Sequence, residues 1–146
     1  MIKIRPLHSS DRAEWGALWK AYLAFYETEL EPEIYDTHFA RMLGNDPQDF
    51  HGLVAELDGK LIGLVHFVYH RHGWKIENTC YLQDLYVDPE IRGTGGGRAL
   101  IEAVYAAADA AGCPSVYWMT QDFNSQARQL YDQIGQHTPF IKYSRV

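Results

Sequence analysis

Residues 91–100 read IRGTGGGRAL, with four glycines in five positions, and they lead directly into a helical pattern. Glycine is less favourable than alanine inside a helix by about 1 kcal/mol. From Gly97 to Ala111, however, apolar residues recur at intervals of three and four, which predicts a helix. A helix start exposes unpaired N–H groups and the positive end of the helix dipole, and glycine lets a ligand approach them closely. The stretch therefore predicts a strand-to-helix junction that binds an anion.

Two nucleotide-binding templates do not fit this loop. A P-loop requires GxxxxGK followed by Ser or Thr, and no lysine follows these glycines. The dinucleotide fingerprint GxGxxG fails whether it is counted from Gly93 or from Gly95. The pattern that remains is RxxGxG, which begins at Arg92. The glycines by themselves also allow a merely flexible loop.

Composition limits the class of protein. The chain has 146 residues, 47% hydrophobic and 22% charged, which is typical of one soluble domain spanning 1–146. We expect neither a membrane nor a nucleic acid as a partner, because no apolar run approaches roughly 20 residues and the net charge is −6. Cys80 and Cys113 form no metal or redox motif, and the first residues lack a signal-peptide core, so a cytoplasmic location is expected.

The predicted elements follow a mixed order, which indicates an α/β architecture. They are a strand at 1–7, helices at about 11–26 and 33–43, strands at 51–57 and 61–69 joined by Asp58-Gly59, a strand at 79–87, the helix from Gly97, a strand at 115–120, a helix at 124–134 and a final strand at 138–146. Asp-Gly between two β-rich runs is the strongest short hairpin signal. The glycine loop thus lies between a strand and a helix.

Two motifs at these junctions resemble the GCN5-related N-acetyltransferase (GNAT) family. The acetyl-CoA site of that family is built on LxVxPxxRGxGxG, matched here by Leu85, Val87, Pro89, Arg92, Gly93, Gly95 and Gly97. Its second element is matched by Asn124, Ala127, Leu130, Tyr131 and Gly135. The order of elements agrees over nearly the whole chain. The resemblance implies a single-domain α/β fold with a mixed, mostly antiparallel sheet of about six to seven strands flanked by four helices.

The resemblance extends to one branch of the family. The runs GWKIENTCYLQDLYVDP and VYWMTQDFNSQARQLYDQIGQHTPFIKY are similar to diamine acetyltransferases and to fungal acetyltransferases of histone tails, polyamines and D-amino acids. That branch implies amine substrates. Two positions depart from the pattern, since the family usually has an aliphatic residue at Gly96 and the branch often has glutamate at Gln83.

The resemblance also implies a reaction and its residues. The expected enzyme transfers acetyl from acetyl-CoA directly to an amine, a small amine, polyamine or amino acid, in a ternary complex without a metal. Implied contacts to acetyl-CoA are Leu85, Tyr86, Val87, Arg92, Gly93, Thr94, Gly95, Gly96, Gly97, Arg98, Asn124, Ala127 and Tyr131. Tyr131 matches the family tyrosine that donates a proton to the leaving sulfur, and its ordinary pKa near 10 keeps it protonated at neutral pH. Helical periodicity alone would make it a core residue.

The group that takes the proton of the amine is less clearly indicated. Asp84 is the nearest carboxylate on the core strand, and we consider it either as the base or as an anion that holds the ammonium. Strict alternation places it on the opposite face from Leu85 and Val87 unless a β-bulge intervenes. Deprotonation through ordered water is the alternative, and Gln83 cannot act as a base.

The acceptor is expected at the helix junction FYETELEPE. Candidate substrate contacts are Tyr26, Glu27 and Glu29, with Gln83 from the strand. Each glutamate alone is better explained as a solvated charge, and only together do the glutamates of this junction fit an amine acceptor. His70 and His72 have no third metal ligand at a compatible spacing and are expected to lie in a loop near the substrate.

The sequence leaves three alternatives open. In the first, the acetyl acceptor is a protein terminus or a lysine side chain. In another, suggested by Gln83, the chain is an acetyl-CoA-binding sensor without catalysis. Finally, the apolar last strand fits either the core or a contact between two copies, so a homodimer is one of two interpretations.

Overall fold

A computed structural model describes residues 1–91 and 93–146 of the protein. Within them lie five strands, four α-helices and two 3-10 turns at Ser9–Asp11 and Pro89–Ile91. In chain order the elements are β1 (Lys3–Pro6), α1 (Arg12–Phe25), α2 (Pro32–Leu43), β2 (His51–Leu57), β3 (Lys60–His70), β4 (Thr79–Val87), α3 (Gly96–Ala110), β5 (Val116–Tyr117) and α4 (Ser125–Ile134). The predicted role of Arg92 lies outside the described residues.

The strands form one mixed sheet in the order β1-β2-β3-β4-β5. The first four pair antiparallel with their neighbours in sequence, and β5 joins β4 in parallel. The hairpin predicted at Asp58-Gly59 is confirmed, and both residues have positive φ, 51° and 79°. A two-residue turn with both φ values positive matches the right-handed twist of the strands that it joins.

The helices cover both faces of the sheet. On one face the α3 side chains Leu100, Ile101 and Val104 are fully buried against Val65 and Leu82 of the strands. On the other face lie mainly aromatic residues of α1 and α2, namely Trp15, Trp19 and Phe39, packed over Val54 and Leu64. Each fully buried apolar side chain stabilises the fold by about 1.5–3 kcal/mol. No helix in residues 1–91 and 93–146 has the length and apolar character that a bilayer crossing requires.

The sheet has fewer strands than the six to seven that were expected. The run SVYWMT contributes only Val116–Tyr117, and residues 136–146 form neither helix nor strand. Their apolar side chains are exposed, among them Phe140, Ile141 and Tyr143. Alternation of apolar residues does not make a strand unless a neighbouring backbone accepts its hydrogen bonds, and this segment pairs with no strand of its own chain.

Candidate active site

The edge of β4 that faces β5 is open over most of its length. β5 pairs with β4 only at Cys80↔Val116 and Tyr81↔Tyr117. Beyond Tyr81, β4 continues to Val87, and β3 is the one strand in the described part of the chain that pairs with it there. Along this open edge of β4, residues 82–87, every second residue turns its backbone N–H and C=O groups away from β3, where a ligand can pair with them. The predicted contacts Leu85, Tyr86 and Val87 lie on this stretch of β4, where Tyr86 pairs with Leu64 of β3.

The glycine loop follows the open edge and begins α3. Gly93 and Gly95 have φ values of 83° and 82°, in the left-handed region where side chains are strained, and Gly95 is the N-cap of the helix. Apart from the adjoining residues, no atom of the described part of the chain would lie within 4 Å of a Cβ atom built on either glycine. Thr94 between them turns its hydroxyl back to the carbonyl of Ile91, 2.8 Å away. The helix start therefore combines exposed backbone with room for a ligand.

Gly96 and Gly97 differ from these two glycines because neither has positive φ. A Cβ on Gly96 would lie in ordinary contact with Val87, at 3.4 Å from Cγ1. A Cβ on Gly97 would come to 3.2 Å from Cδ2 of Leu130, so this glycine lets α4 pack closely on α3. The backbone thus requires glycine at 93 and 95, but not at 96.

Arg98 is engaged at the surface between α3 and α4. Its Nη2 donates to Oε1 of Gln133 at 2.6 Å, and its Nη1 lies 3.4 Å from Oε1 of Glu102. An anion at the glycine loop would have to compete with these partners. The predicted contact of Arg98 with the donor remains a prediction.

Asn124 has a structural task at the start of α4. Its Oδ1 accepts the backbone N–H of Ala127 at 3.4 Å, which caps the helix, and its Nδ2 donates to the hydroxyl of Thr120 at 3.4 Å. This cap fixes the first turn of the helix that carries Tyr131. The contacts predicted from Asn124 and Ala127 to a ligand also remain predictions.

Tyr131 lies where the two helical layers approach each other. Its ring packs edge-on against Trp118, with centroids 5.5 Å apart. Burial, and to a smaller extent the nearby Tyr26 at the end of α1, together raise the pKa of Tyr131 to about 12. The hydroxyl therefore keeps its proton at neutral pH. Tyr26 comes from the opposite face of the sheet, so the structure brings two of the predicted site residues together.

A β-bulge in β4 determines on which face of the sheet the side chain of Asp84 lies. His66 pairs with Asp84 and Phe67 pairs with Leu82, so Gln83 is an extra residue between them. The bulge places Leu82 in the core under α3 and Asp84 on the face of α1 and α2. Asp84 remains opposite to Leu85, as strict alternation also required. The side chain of Gln83 is exposed.

Asp84 is buried among hydrogen-bond donors. Only 5% of the residue is exposed, and its Oδ2 accepts from Nδ1 of His66 at 2.8 Å and from the indole N–H of Trp19 at 3.3 Å. Tyr22 also stabilises the ionised form of this carboxylate. Burial alone would raise the pKa of Asp84, but the hydrogen bond from His66 and the other partners outweigh it, so this pKa is lowered.

Together with burial, the negative charge of Asp84 raises the pKa of two tyrosines at the end of α1. Burial raises the pKa of Tyr22, and the charge and hydrogen bond of Asp84 add to this. Burial followed by Asp84 also raises the pKa of Tyr26, which a hydrogen bond with Tyr22 partly offsets. The ionisation of Tyr22 and of Tyr26 is therefore coupled to Asp84, and the rings of the two tyrosines pack edge-on with centroids 5.2 Å apart.

His38, His66 and Asp84 place three metal-ligating atoms within 4.8 Å of one another. The indole of Trp15 donates to Nε2 of His66 at 2.9 Å, and because an indole N–H can only donate, Nε2 must accept. The proton of a neutral His66 is therefore on Nδ1, the atom that faces Asp84 and His38. A metal on Nδ1 would move this proton to Nε2, against the N–H of Trp15. The donor set suits hydrogen bonds better than a metal ion.

The acidic residues of the helix junction lie apart from Asp84. Glu27 and Glu29 line a groove of about 560 Å³ between α1 and α2, together with Arg12 and Lys20. The groove therefore carries both signs of charge. His70 was expected in a loop but is the last residue of β3, because the pairing of β3 with β4 extends to His70↔Thr79, and its Nε2 lies 2.7 Å from the hydroxyl of Tyr117. His72 lies in the loop that follows.

The sequence did not indicate the partners of Asp84. Trp15, Trp19, Tyr22 and His38 were assigned to apolar or helical patterns, and His66 to a strand. One signal was available, because a histidine in the middle of LVHFV stands at a position where a strand is buried on both sides. A fully buried histidine needs hydrogen-bond partners.

Comparison with known proteins agrees with the family that the two sequence motifs resemble. A family model described as "Acetyltransferase (GNAT) family" matches residues 15–136. The chain is 36% identical over 145 residues to D-amino-acid N-acetyltransferase HPA3 of Saccharomyces cerevisiae, covering 99% of this chain and 90% of that protein. It is also 36% identical over 144 residues to thialysine N-epsilon-acetyltransferase of Mus musculus, covering 91% and 82% respectively.

A solved structure shares the fold. AAC(6')-Iy in complex with the bisubstrate analog CoA-S-monomethyl-acetylneamine superposes with a TM-score of 0.86 over 100% of this chain and 98% of that chain. The sequences are 19% identical, so this likeness concerns the fold alone.

The buried histidine of α2 makes stability depend on pH. Burial, followed by His66, lowers the pKa of His38 to about 4, while Asp84 opposes this shift, Arg41 adds to it and Asp49 opposes it. An unfolded histidine has a pKa near 6.5, so the unfolded chain binds more protons between these values. The stabilisation is complete above about pH 6.5, and it is lost as pH falls towards about 4, by roughly 3 kcal/mol. Urea unfolding of native protein and His38→Gln across this range should show a flatter profile for the variant.

The matched control is His137→Gln, which removes an exposed histidine. Its profile should run parallel to that of the native protein. Equal slopes for native protein and His38→Gln would contradict the assignment.

Proposed function

The chain belongs to the acetyltransferase (GNAT) family, and we propose that it transfers the acetyl group of acetyl-CoA directly to an amine within a ternary complex. The observation that carries this proposal is the open edge of β4, which ends at the glycine-rich start of α3. An extended arm with amide groups can pair along such an edge, and a pyrophosphate can meet the helix N-terminus. Acetyl-CoA contains both.

The residues that would hold the donor follow from this geometry. The strand segment that contains Leu85, Tyr86 and Val87 would hold the pantetheine arm, and an N–H near Val87 would stabilise the oxyanion. The loop from Gly93 to Gly97 would take the pyrophosphate. Arg92, Arg98, Asn124 and Ala127 complete the proposed donor contacts by resemblance to the family.

Chemistry proceeds without an acetyl-enzyme in this proposal. The amine nitrogen attacks the thioester carbonyl carbon, a C–N bond forms, and the C–S bond then breaks. The hydroxyl of Tyr131 hydrogen-bonds to the departing sulfur and gives it a proton, which Tyr131 regains from solvent. The raised pKa of Tyr131 keeps the proton available until negative charge develops on sulfur. The amine releases its own proton to water.

Asp84 contributes charge in this scheme. A carboxylate whose pKa is lowered is a weak proton acceptor, and this one is already surrounded by donors. We propose that its negative charge attracts the ammonium of the acceptor, and that Tyr22 and Tyr26 lie between the carboxylate and the acceptor. Tyr26, Gln83, Glu27 and Glu29 are the proposed acceptor contacts.

The proposed acceptor is a small amine, a polyamine or an amino acid. The buried anion supports a cationic acceptor, and the names of the two similar enzymes refer to D-amino acids and to thialysine. A panel of amino acids of both configurations, thialysine, polyamines and peptides, assayed for free thiol release from acetyl-CoA, tests the proposal. Release with peptides alone would favour a peptide acetyltransferase, and CoA binding without release for any amine would indicate a sensor.

A cytoplasmic location is part of the proposal. Cys80 and Cys113 are both free and buried, as is usual for a protein of a reducing compartment.

We further propose that two copies of the chain associate through residues 136–146. Phe140 is 83% exposed, Ile141 76% and Tyr143 88%, in a segment that forms neither helix nor strand but whose sequence pattern is that of a strand. β5 is an edge strand of the sheet, so one of its sides has no neighbouring strand in the described part of the chain. An exposed apolar strand pattern and an edge strand complement each other when supplied by two chains.

Removal of the hydroxyl of Tyr131 tests the acid. Tyr131→Phe should lower kcat by about 100-fold or more and leave the affinity for CoA nearly unchanged, because the ring remains and only the proton is lost. Steady-state kinetics and calorimetric CoA titration measure both. Tyr105→Phe is the control, since its hydroxyl binds the carbonyl of Ile134 at 2.7 Å and has a structural task. Native turnover by Tyr131→Phe would refute the role.

Two neighbouring glycines separate ligand binding from helix stability. Gly95→Ala should weaken CoA binding at least tenfold, since its positive φ strains alanine and the methyl group would enter the open space at the loop. Gly96→Ala should bind CoA within about threefold of native protein, because its methyl group would point to Val87. Calorimetry on both folded variants measures this. Equal losses at both positions would contradict the loop geometry.

Association should depend on the apolar residues of the carboxyl-terminal segment. In sedimentation velocity we expect native protein to be dimeric and Phe140→Asp to shift towards monomer, because a charge would be buried in the contact. Trp74→Ser is the control, since Trp74 is 88% exposed but lies in the loop between β3 and β4. A monomeric native protein at micromolar concentration would overturn the proposal.

A further inference from the structure

Trp15 and His66 form a hydrogen-bonded pair that the reaction scheme above does not use. Both side chains have no exposed surface, and the indole N–H of Trp15 lies 2.9 Å from Nε2 of His66. The other ring nitrogen of His66 lies 2.8 Å from Oδ2 of Asp84. The imidazole therefore connects α1 to the buried carboxylate of β4.

The direction of these two hydrogen bonds is fixed by chemistry. An indole N–H cannot accept, and an ionised carboxylate cannot donate. His66 must therefore accept at Nε2 and donate at Nδ1, which is the neutral form of the ring. A second proton on Nε2 would set two N–H groups against each other in a buried place, with neither satisfied. Trp15 thus opposes the formation of an imidazolium next to Asp84.

These hydrogen bonds determine the net charge of the buried cluster formed by Trp15, His38, His66 and Asp84. With His66 neutral, Asp84 carries a negative charge that no neighbouring cation cancels among the described side chains that contact it. His38 also faces His66, with Nε2 at 3.1 Å from Nδ1, and the lowered pKa of His38 keeps it neutral at pH 7. Other titratable groups of the described residues that act on this cluster are Tyr22, Tyr26, Tyr81, Arg41 and Asp49.

We propose that Trp15 is a positioning residue of the acetyl transfer, which by donating to Nε2 keeps His66 neutral and leaves Asp84 as an uncompensated anion for the ammonium of the acceptor. This inference rests on the proposed function, since it assigns the origin of the charge that selects the acceptor. Trp15 contacts no substrate in this scheme. It acts through His66 on Asp84.

Kinetics of Trp15→Phe tests the proposal. Phenylalanine retains most of the ring but has no N–H, so Nε2 can take a proton and the resulting His66 imidazolium would cancel the charge of Asp84. The useful quantity is the ratio of kcat/KM for variant and native protein, because ionisation of the amine itself cancels in it. This ratio should fall by about tenfold between pH 8 and pH 6, mainly through KM of the amine.

Phe39→Leu is the matched control. Phe39 packs 5.0 Å from the ring of Trp15 in the same core but belongs to no hydrogen bond of the cluster. Loss of packing should change its kcat/KM by a factor that does not vary with pH. A pH-independent ratio for Trp15→Phe as well would overturn the proposal and leave Trp15 a purely structural residue.

A measurement on the native protein covers the case in which Trp15→Phe does not fold. Long-range 1H–15N correlation spectra distinguish the protonated and unprotonated ring nitrogens of His66 directly. The proposal expects Nε2 unprotonated and Nδ1 protonated at pH 7, and a proton on Nε2 would refute it. This experiment needs no acetyl acceptor, so its failure is distinct from a failure of the amine panel.

Discussion

The extra residue in β4 is the constraint on which the rest of the site depends. Without Gln83 as a bulge, Asp84 would share a face with Leu82 and its charge would lie in the apolar core under α3, at a cost of several kcal/mol. With the bulge, Asp84 turns to the aromatic layer of α1 and α2, where indole and imidazole groups donate to it. The same bulge returns Leu85 and Val87 to the face of α3. Val87 then packs where the glycine-rich turn begins.

The divergence of β4 from β5 explains why the two helical layers can meet at one place. Where the sheet is continuous, it separates α1 from α4. Past Tyr81 this separation ends, and Tyr26 from one layer acts on the hydroxyl of Tyr131 from the other. In the proposed function this gap admits donor and acceptor from opposite faces, which is the arrangement that direct transfer requires.

Prediction from sequence succeeded where the signal is local. The hairpin at Asp58-Gly59, the four helices and the glycine-rich start of α3 all depend on residues within a few positions of one another. The family followed from two such motifs and is confirmed. The partners of Asp84 were missed because they lie 18 residues away for His66 and 65 for Trp19, and a bulge changes the face without changing composition. The final strand was wrong because a strand pattern cannot supply its own neighbour.

The hydrogen-bond chain through Trp15, His66 and Asp84 also limits how this sequence can change over evolutionary time. Replacing His66 alone would leave the buried N–H of Trp15 without its acceptor and would remove the shortest hydrogen bond to Asp84, which would keep only weaker partners such as the indole of Trp19. Once His66 is lost, a further change at Trp15 costs little, and the effects of the two substitutions are far from additive. Homologous chains should therefore keep the three residues together or replace them together, and a family tree would record their loss as a single event.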